Sequence, residues 1–161
     1  MSDPKAVDST PSLYVWAGGK DALEKLVSVF YAKVSGDPIL APVFARMGPE
    51  HPKHVAAFIG EVFGGPEDYS RLLGGHAGMV TKHLGKQLDE RQRRRWIELL
   101  VDSADQVGMP DDPEFRSAFV GYLEWGTRLA VINSQPGVKA PPPDSQMPKW
   151  GWGPTGGPYK P

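Results

Sequence analysis

Residues 74–96 read GGHAGMVTKHLGKQLDERQRRRW, and this stretch decides the fold. Glycines at 74, 75, 78 and 85 crowd the segment that carries Met79 and His83, so a helix here has to be short. Met79 and His83 stand four residues apart and face the same side of such a helix. That face is apolar enough to hold a flat ring, and neutral imidazole is the usual axial ligand of haem iron in oxygen-binding proteins. An acceptor on the other ring nitrogen normally sets the tautomer. One histidine decides nothing by itself, so the rest of the chain has to agree.

Downstream, Asp89 and Gln92 form a capping pair, and Trp96, Leu99, Leu100, Ser103, Ala104 and Val107 mark a helix that ends at Gly108. Arg91, Arg93, Arg94 and Arg95 read as its solvated face. Asp112-Pro113 opens a last helix, with Phe115, Phe119, Tyr122, Leu123, Leu129 and Ala130 on its buried side, that runs to about Ser134. Upstream, Leu13, Tyr14 and Trp16 lead into Gly18-Gly19. Leu23, Leu26, Val27, Phe30, Tyr31 and Val34 then keep the three-and-four spacing of an amphipathic helix over residues 20–35. Pro38 and Pro42 limit residues 38–44 to a turn and a loop, from which Phe44 should point inward. Pro52 fits only the first turn of a helix, so another helix begins near residues 50–52, shows Val55, Phe58, Ile59 and Val62 on one face, and stops at Gly64-Gly65-Pro66. No strand pattern competes.

With 161 residues, 40% of them hydrophobic, the chain can build one well-buried core but not two ordinary domains. A formal charge of -1 gives no general reason to expect a nucleic-acid partner. There is no cysteine, which removes disulfides, thiolate metal sites and cysteine nucleophiles together. The polar start lacks the parts of a signal peptide, and no apolar run approaches the roughly 18 residues that span a bilayer. A cytoplasmic protein without a membrane partner is expected. Residues 1–12 read as a disordered leader and residues 13–134 as the folded domain. Residues 135–161 read as an irregular Pro/Gly-rich tail whose Trp150 and Trp152 are too apolar to leave in water, so residues 147–159 should dock on the domain or on a second subunit.

Taken in order, Gly18-Gly19, Phe30-Tyr31, Phe44, Gly64-Gly65-Pro66, Gly75-His76, His83, Trp96, Tyr122-Leu123-Glu124 and Asn133-Ser134 resemble the truncated haemoglobins of the second group. The resemblance covers about residues 13–134 and implies an all-α fold, a two-over-two helical sandwich around haem b (iron protoporphyrin IX). Carried over residue by residue, it makes His83 the iron ligand, Phe44 the ring on the haem edge, and Tyr31 and Trp96 the polar groups on the distal side. It further suggests Lys82 and Tyr69 as propionate partners, with His76 and Arg71 as further candidates. Phe30, Val55, Phe58, Ile59 and Met79 should line the ring, although core packing alone would also bury nearly all of them.

The residues support part of this independently. Tyr31 lies on the apolar stripe of its helix, so its hydroxyl needs a partner or costs on the order of 1–3 kcal/mol. Bound O2 would be one partner, and a backbone carbonyl is the alternative. Trp96 can only donate, or it is a packed core residue. His51 departs from the family pattern, where a small residue such as alanine usually holds the distal gate. It could donate to bound ligand, swing aside to admit it or coordinate iron, with His54 one turn further on, or it could be an ordinary surface histidine at a helix start.

Binding of O2, NO and CO is the expected function. Two distal donors slow release and favour redox chemistry with a reductase, such as nitric oxide detoxification or peroxidase-like turnover, over bulk oxygen delivery. The other readings are an oxygen carrier or sensor without turnover, a non-haem metal protein built on His51, His54, His76 and His83, and a helical interaction module with a docking tail. Either a monomer or a homodimer is compatible with the sequence.

Overall fold

The computed structural model describes residues 9–161. Seven helices follow one another: α1 (Leu13–Ala17), α2 (Gly19–Ser35), α3 (His51–Val62), α4 (Asp68–Leu72), α5 (Gly75–His83), α6 (Glu90–Gln106) and α7 (Pro113–Asn133), and no strand occurs among the described residues. Helix α2 packs most extensively on α3 and then on α6, while α6 packs on α7. Two helix pairs thus face one another in a two-over-two sandwich, and the short α5 rests against α7.

Local chemistry sets the helix ends. Ser12 Oγ accepts from Val15 N–H and starts α1, and Gly18 at φ 106 ends it in a left-handed conformation that a side chain rarely tolerates. Asp89 and Gln92 close a reciprocal capping box at α6, and Asp112 caps α7 just before Pro113. At Gly65 a Cβ would lie 2.6 Å from the Tyr14 ring and 2.8 Å from the Gly60 carbonyl oxygen, so the α3–α4 turn needs glycine there for close approach. Leu26, Phe30, Val62, Phe63, Leu100, Phe115, Phe119 and Leu123 form the shared core, each contributing roughly 2–3 kcal/mol on burial.

Three features differ from the sequence expectation. The basic run of α6 is not a uniformly solvated face: Arg91 and Arg94 are exposed, but Arg93 is only 5% exposed. Its guanidinium is held by Glu90 at 2.6 Å and Glu124 at 3.2 Å. Arg95 reaches back to Asp37 at 2.6 Å. Asp37 also accepts from the Ile39 and Leu40 N–H groups, which pins the proline-broken loop to α6. A helical period marks such positions as polar but does not reveal a carboxylate waiting on another element. Of the expected leader, residues 1–8 lie outside the described residues, whereas Ser12 caps α1 and the Pro11 carbonyl accepts from Trp152 Nε1 at 2.8 Å. Finally, the tail contains one 3-10 turn, Gly153–Thr155, where Gly153-Pro154 permits a single tight turn. None of the described helices is long and apolar enough to cross a membrane.

Candidate functional site

A deep, largely apolar cavity opens between α3, α5, α6 and α7. His83 is the last residue of α5, and its Nδ1 donates to the Met79 carbonyl at 2.8 Å, one helical turn back. A carbonyl can only accept, so this bond fixes the proton on Nδ1 and leaves Nε2 with a bare lone pair. Burial, and then Lys86 and Lys82, lower the pKa of His83 against the raising effect of the Met79 bond, which keeps the imidazole neutral.

Other walls of the same cavity carry polar groups. The Tyr31 hydroxyl and His51 Nε2 share a hydrogen bond at 3.0 Å. Tyr31 is 5% exposed, and burial raises its phenol well above the ordinary value, so it remains a donor. His51 is pushed down to about 4, first by burial and then by Lys82 and Lys86. Phe44 packs edge-on to both rings, with centroids 5.5 Å from Tyr31 and 5.9 Å from His51. Trp96 lines the cavity from α6, and among the described residues no protein acceptor takes its indole N–H. Val55, Phe58 and Ile59 line it from α3, and Met79 from α5.

Phe30, Tyr69 and Arg71 are the predicted cofactor contacts that do not line the cavity. Phe30 is fully buried behind it and stacks edge-on to Tyr31 at 4.8 Å and Trp96 at 5.2 Å, so it holds those rings in place. Tyr69 is buried against Phe58 and accepts from Lys82 Nζ at 3.4 Å; burial pushes its phenol up to about 12. Arg71 is exposed and paired with Asp68. His54, Lys82, Lys86 and His76 all line the cavity, and His76 Nδ1 is buried with no partner in the protein.

These residues fit a haem. An apolar slot suits the porphyrin, a neutral imidazole with a free lone pair suits the iron, and cationic or donor groups suit the propionates. The orphaned nitrogen of His76 is the most specific sign, because a buried ring nitrogen without a partner costs free energy that a carboxylate would relieve. By contrast, no three His, Asp or Glu side chains converge to hold a bare ion among the described residues, so the four-histidine metal site is not assembled. Glu61 is occupied by the Ser70 N–H and hydroxyl, and Asp68 by Arg71.

Comparison with known proteins agrees. Residues 12–124 match the family model described as bacterial-like globin.

The chain belongs to the bacterial-like globins.

Among relatives, this globin is 29% identical over 117 residues to a group 2 truncated hemoglobin of Bacillus subtilis, covering 73% of this chain and 86% of that one. The X-ray structure of a truncated oxygen-avid haemoglobin from Bacillus subtilis matches with a TM-score of 0.67 at 27% identity, over 75% of this chain and 99% of that one. A group II truncated hemoglobin from Bacillus anthracis matches with a TM-score of 0.68 at 23% identity, over 79% and 96%, a likeness of fold. The truncated haemoglobin of the second group expected from the motif set is thereby met, and so is the two-over-two fold.

Several cavity residues of this globin carry little signal in the sequence. Lys86 and Gln92 look like solvent residues, and Arg93 like part of a charged face. Tyr122, Leu123, Trp125 and Gly126 from α7 and Pro148 from the tail also line the cavity. Trp125 has a usable signal, since it lies three residues beyond Tyr122 on the same helical stripe. Pro148 has none.

Proposed function

We propose that this globin holds haem b through His83 and binds O2, NO and CO, with Tyr31 and Trp96 donating to the bound ligand and His51 beside them. When bound, the haem supplies an iron that takes diatomic gases and exchanges electrons. The chain supplies the rest. Met79 keeps the His83 proton on Nδ1 and the lone pair on Nε2. Phe44, Phe58 and Met79 exclude water, so that a phenol or indole donor acts in a low dielectric. His76 and Lys82 offer donors for the propionates, and Tyr69 steadies Lys82.

The observation that carries this reading is the sharing of one apolar cavity by an imidazole with a committed tautomer and by the Tyr31, His51 and Trp96 polar groups. The Bacillus subtilis structure is that of an oxygen-avid haemoglobin, which supports tight oxygen binding here, and two distal donors would supply it by slowing release. Slow release favours NO detoxification or peroxidase-like turnover fed by a reductase in the cytoplasm over bulk delivery. Stopped-flow O2 displacement by CO tests the distal donors. Tyr31→Phe and Trp96→Phe should each speed O2 dissociation about 10-fold, the loss of one well-made hydrogen bond of about 1.4 kcal/mol. Unaltered off-rates in both variants would remove Tyr31 and Trp96 from the ligand's surroundings.

A further inference from the structure

The tail leaves α7 at Ser134 and returns through a proline-rich run to cross the body of the globin. Trp150 ties it to two walls of the cavity at once. Its backbone N–H donates to the Val62 carbonyl at the end of α3, at 2.9 Å, and its indole Nε1 donates to the Ala118 carbonyl in α7, also at 2.9 Å. The Trp150 ring packs on Tyr122 at 5.8 Å and on Trp125 at 5.7 Å, and both of those residues line the cavity. Pro148 forms part of the cavity wall itself. Beyond it, Trp152 stacks edge-on to Trp16 at 6.1 Å, and the Tyr159 N–H reaches Asp112 at 3.4 Å. Prolines at 141, 142, 143, 148, 154 and 158 restrict the free tail, so docking it loses less conformational entropy than docking an ordinary segment.

We propose that residues 147–152 are a strap that completes the haem pocket, so that haem binding and tail docking stabilise one another. The proposal rests on the haem reading above. A ligand that fills the cavity presses Tyr122, Trp125 and Pro148 into the arrangement that Trp150 requires, and a docked Trp150 holds the α3 and α7 walls at the spacing that the ligand requires. Such coupling is reciprocal by thermodynamic necessity.

The test measures haem transfer from the haem-loaded protein to excess apomyoglobin, together with tryptic cleavage after the exposed Lys149 with and without haem. A chain ending at residue 146 should lose haem at least about 10-fold faster than the full chain, the effect of roughly 1.4 kcal/mol of coupling. Trp150→Phe keeps the ring contacts but not the bond to Ala118, so it guards against a truncated chain that folds poorly, and it should lose haem about 5-fold faster. Haem should slow cleavage at Lys149 in the full chain. Equal transfer rates in all three proteins, or cleavage indifferent to haem, would overturn the strap while leaving the haem reading intact. A full chain that takes up no haem would overturn both.

Discussion

The Tyr31 hydroxyl has one hydrogen to give, and two groups compete for it. Within the protein it shares a bond with His51 Nε2 at 3.0 Å. For Tyr31 to donate to bound oxygen while keeping this bond, His51 presents Nε2–H and becomes the donor to the phenol oxygen, a change of tautomer rather than of charge. With the His51 pKa pushed down to about 4 by burial and by Lys82 and Lys86, the ring is neutral throughout the physiological range. Its protonation is disfavoured by folding, so the stability tied to neutral His51 is present above the ordinary histidine value near 6.5 and is lost as pH falls toward 4. The O2 off-rate should therefore be flat between pH 6 and 8 and change only below about pH 5. A step in the off-rate near pH 6.5 that disappears in His51→Gln would contradict this account of the pair.

At the scale of elements, the capping box of α6 has the clearest consequence. Asp89 accepts from the Gln92 N–H at 2.8 Å, and the Gln92 side chain accepts from the Asp89 N–H at 3.0 Å. α6 carries Trp96, Arg93 and Arg95, so its start fixes a cavity wall and the anchor of the Asp37 loop. Asp89→Ala should cost about 1 kcal/mol in urea unfolding while leaving the unfolding slope unchanged; a midpoint equal to that of the parent would show that the box adds nothing. This box was legible in the sequence because both of its partners lie within one turn. Helix bounds were legible for the same reason, since proline, glycine and the capping residues act locally at Gly18, Pro52, Gly64 and Pro113. The ion pairs of Arg93 with Glu124 and of Arg95 with Asp37 were not legible, because their partners come from distant parts of the chain.

For the whole molecule, the two-over-two arrangement was readable because each long helix shows a single apolar stripe and the motif set matched a family over residues 13–134. The polar groups of the candidate site were readable where chemistry is unusual for a core: a tyrosine on an apolar stripe, a histidine after a glycine-rich approach, and a tryptophan on the inward stripe nearly two turns into α6. Phe30 and Tyr69 show the limit of that reading. Periodicity places a side chain on the inward face but does not say whether it lines the cavity or supports a residue that does. The wall supplied by Pro148 depends on a path of the tail that no period encodes. Iron ligation by His83 underlies the whole account, and absorption titration of the full chain with ferric haem, beside His83→Gly with and without free imidazole, tests it most directly. The account predicts one haem per chain with a sharp Soret band, a band displaced or lost in His83→Gly, and its recovery when imidazole is added. A full chain without a Soret band, or a His83→Gly spectrum identical to the parent's, would contradict it.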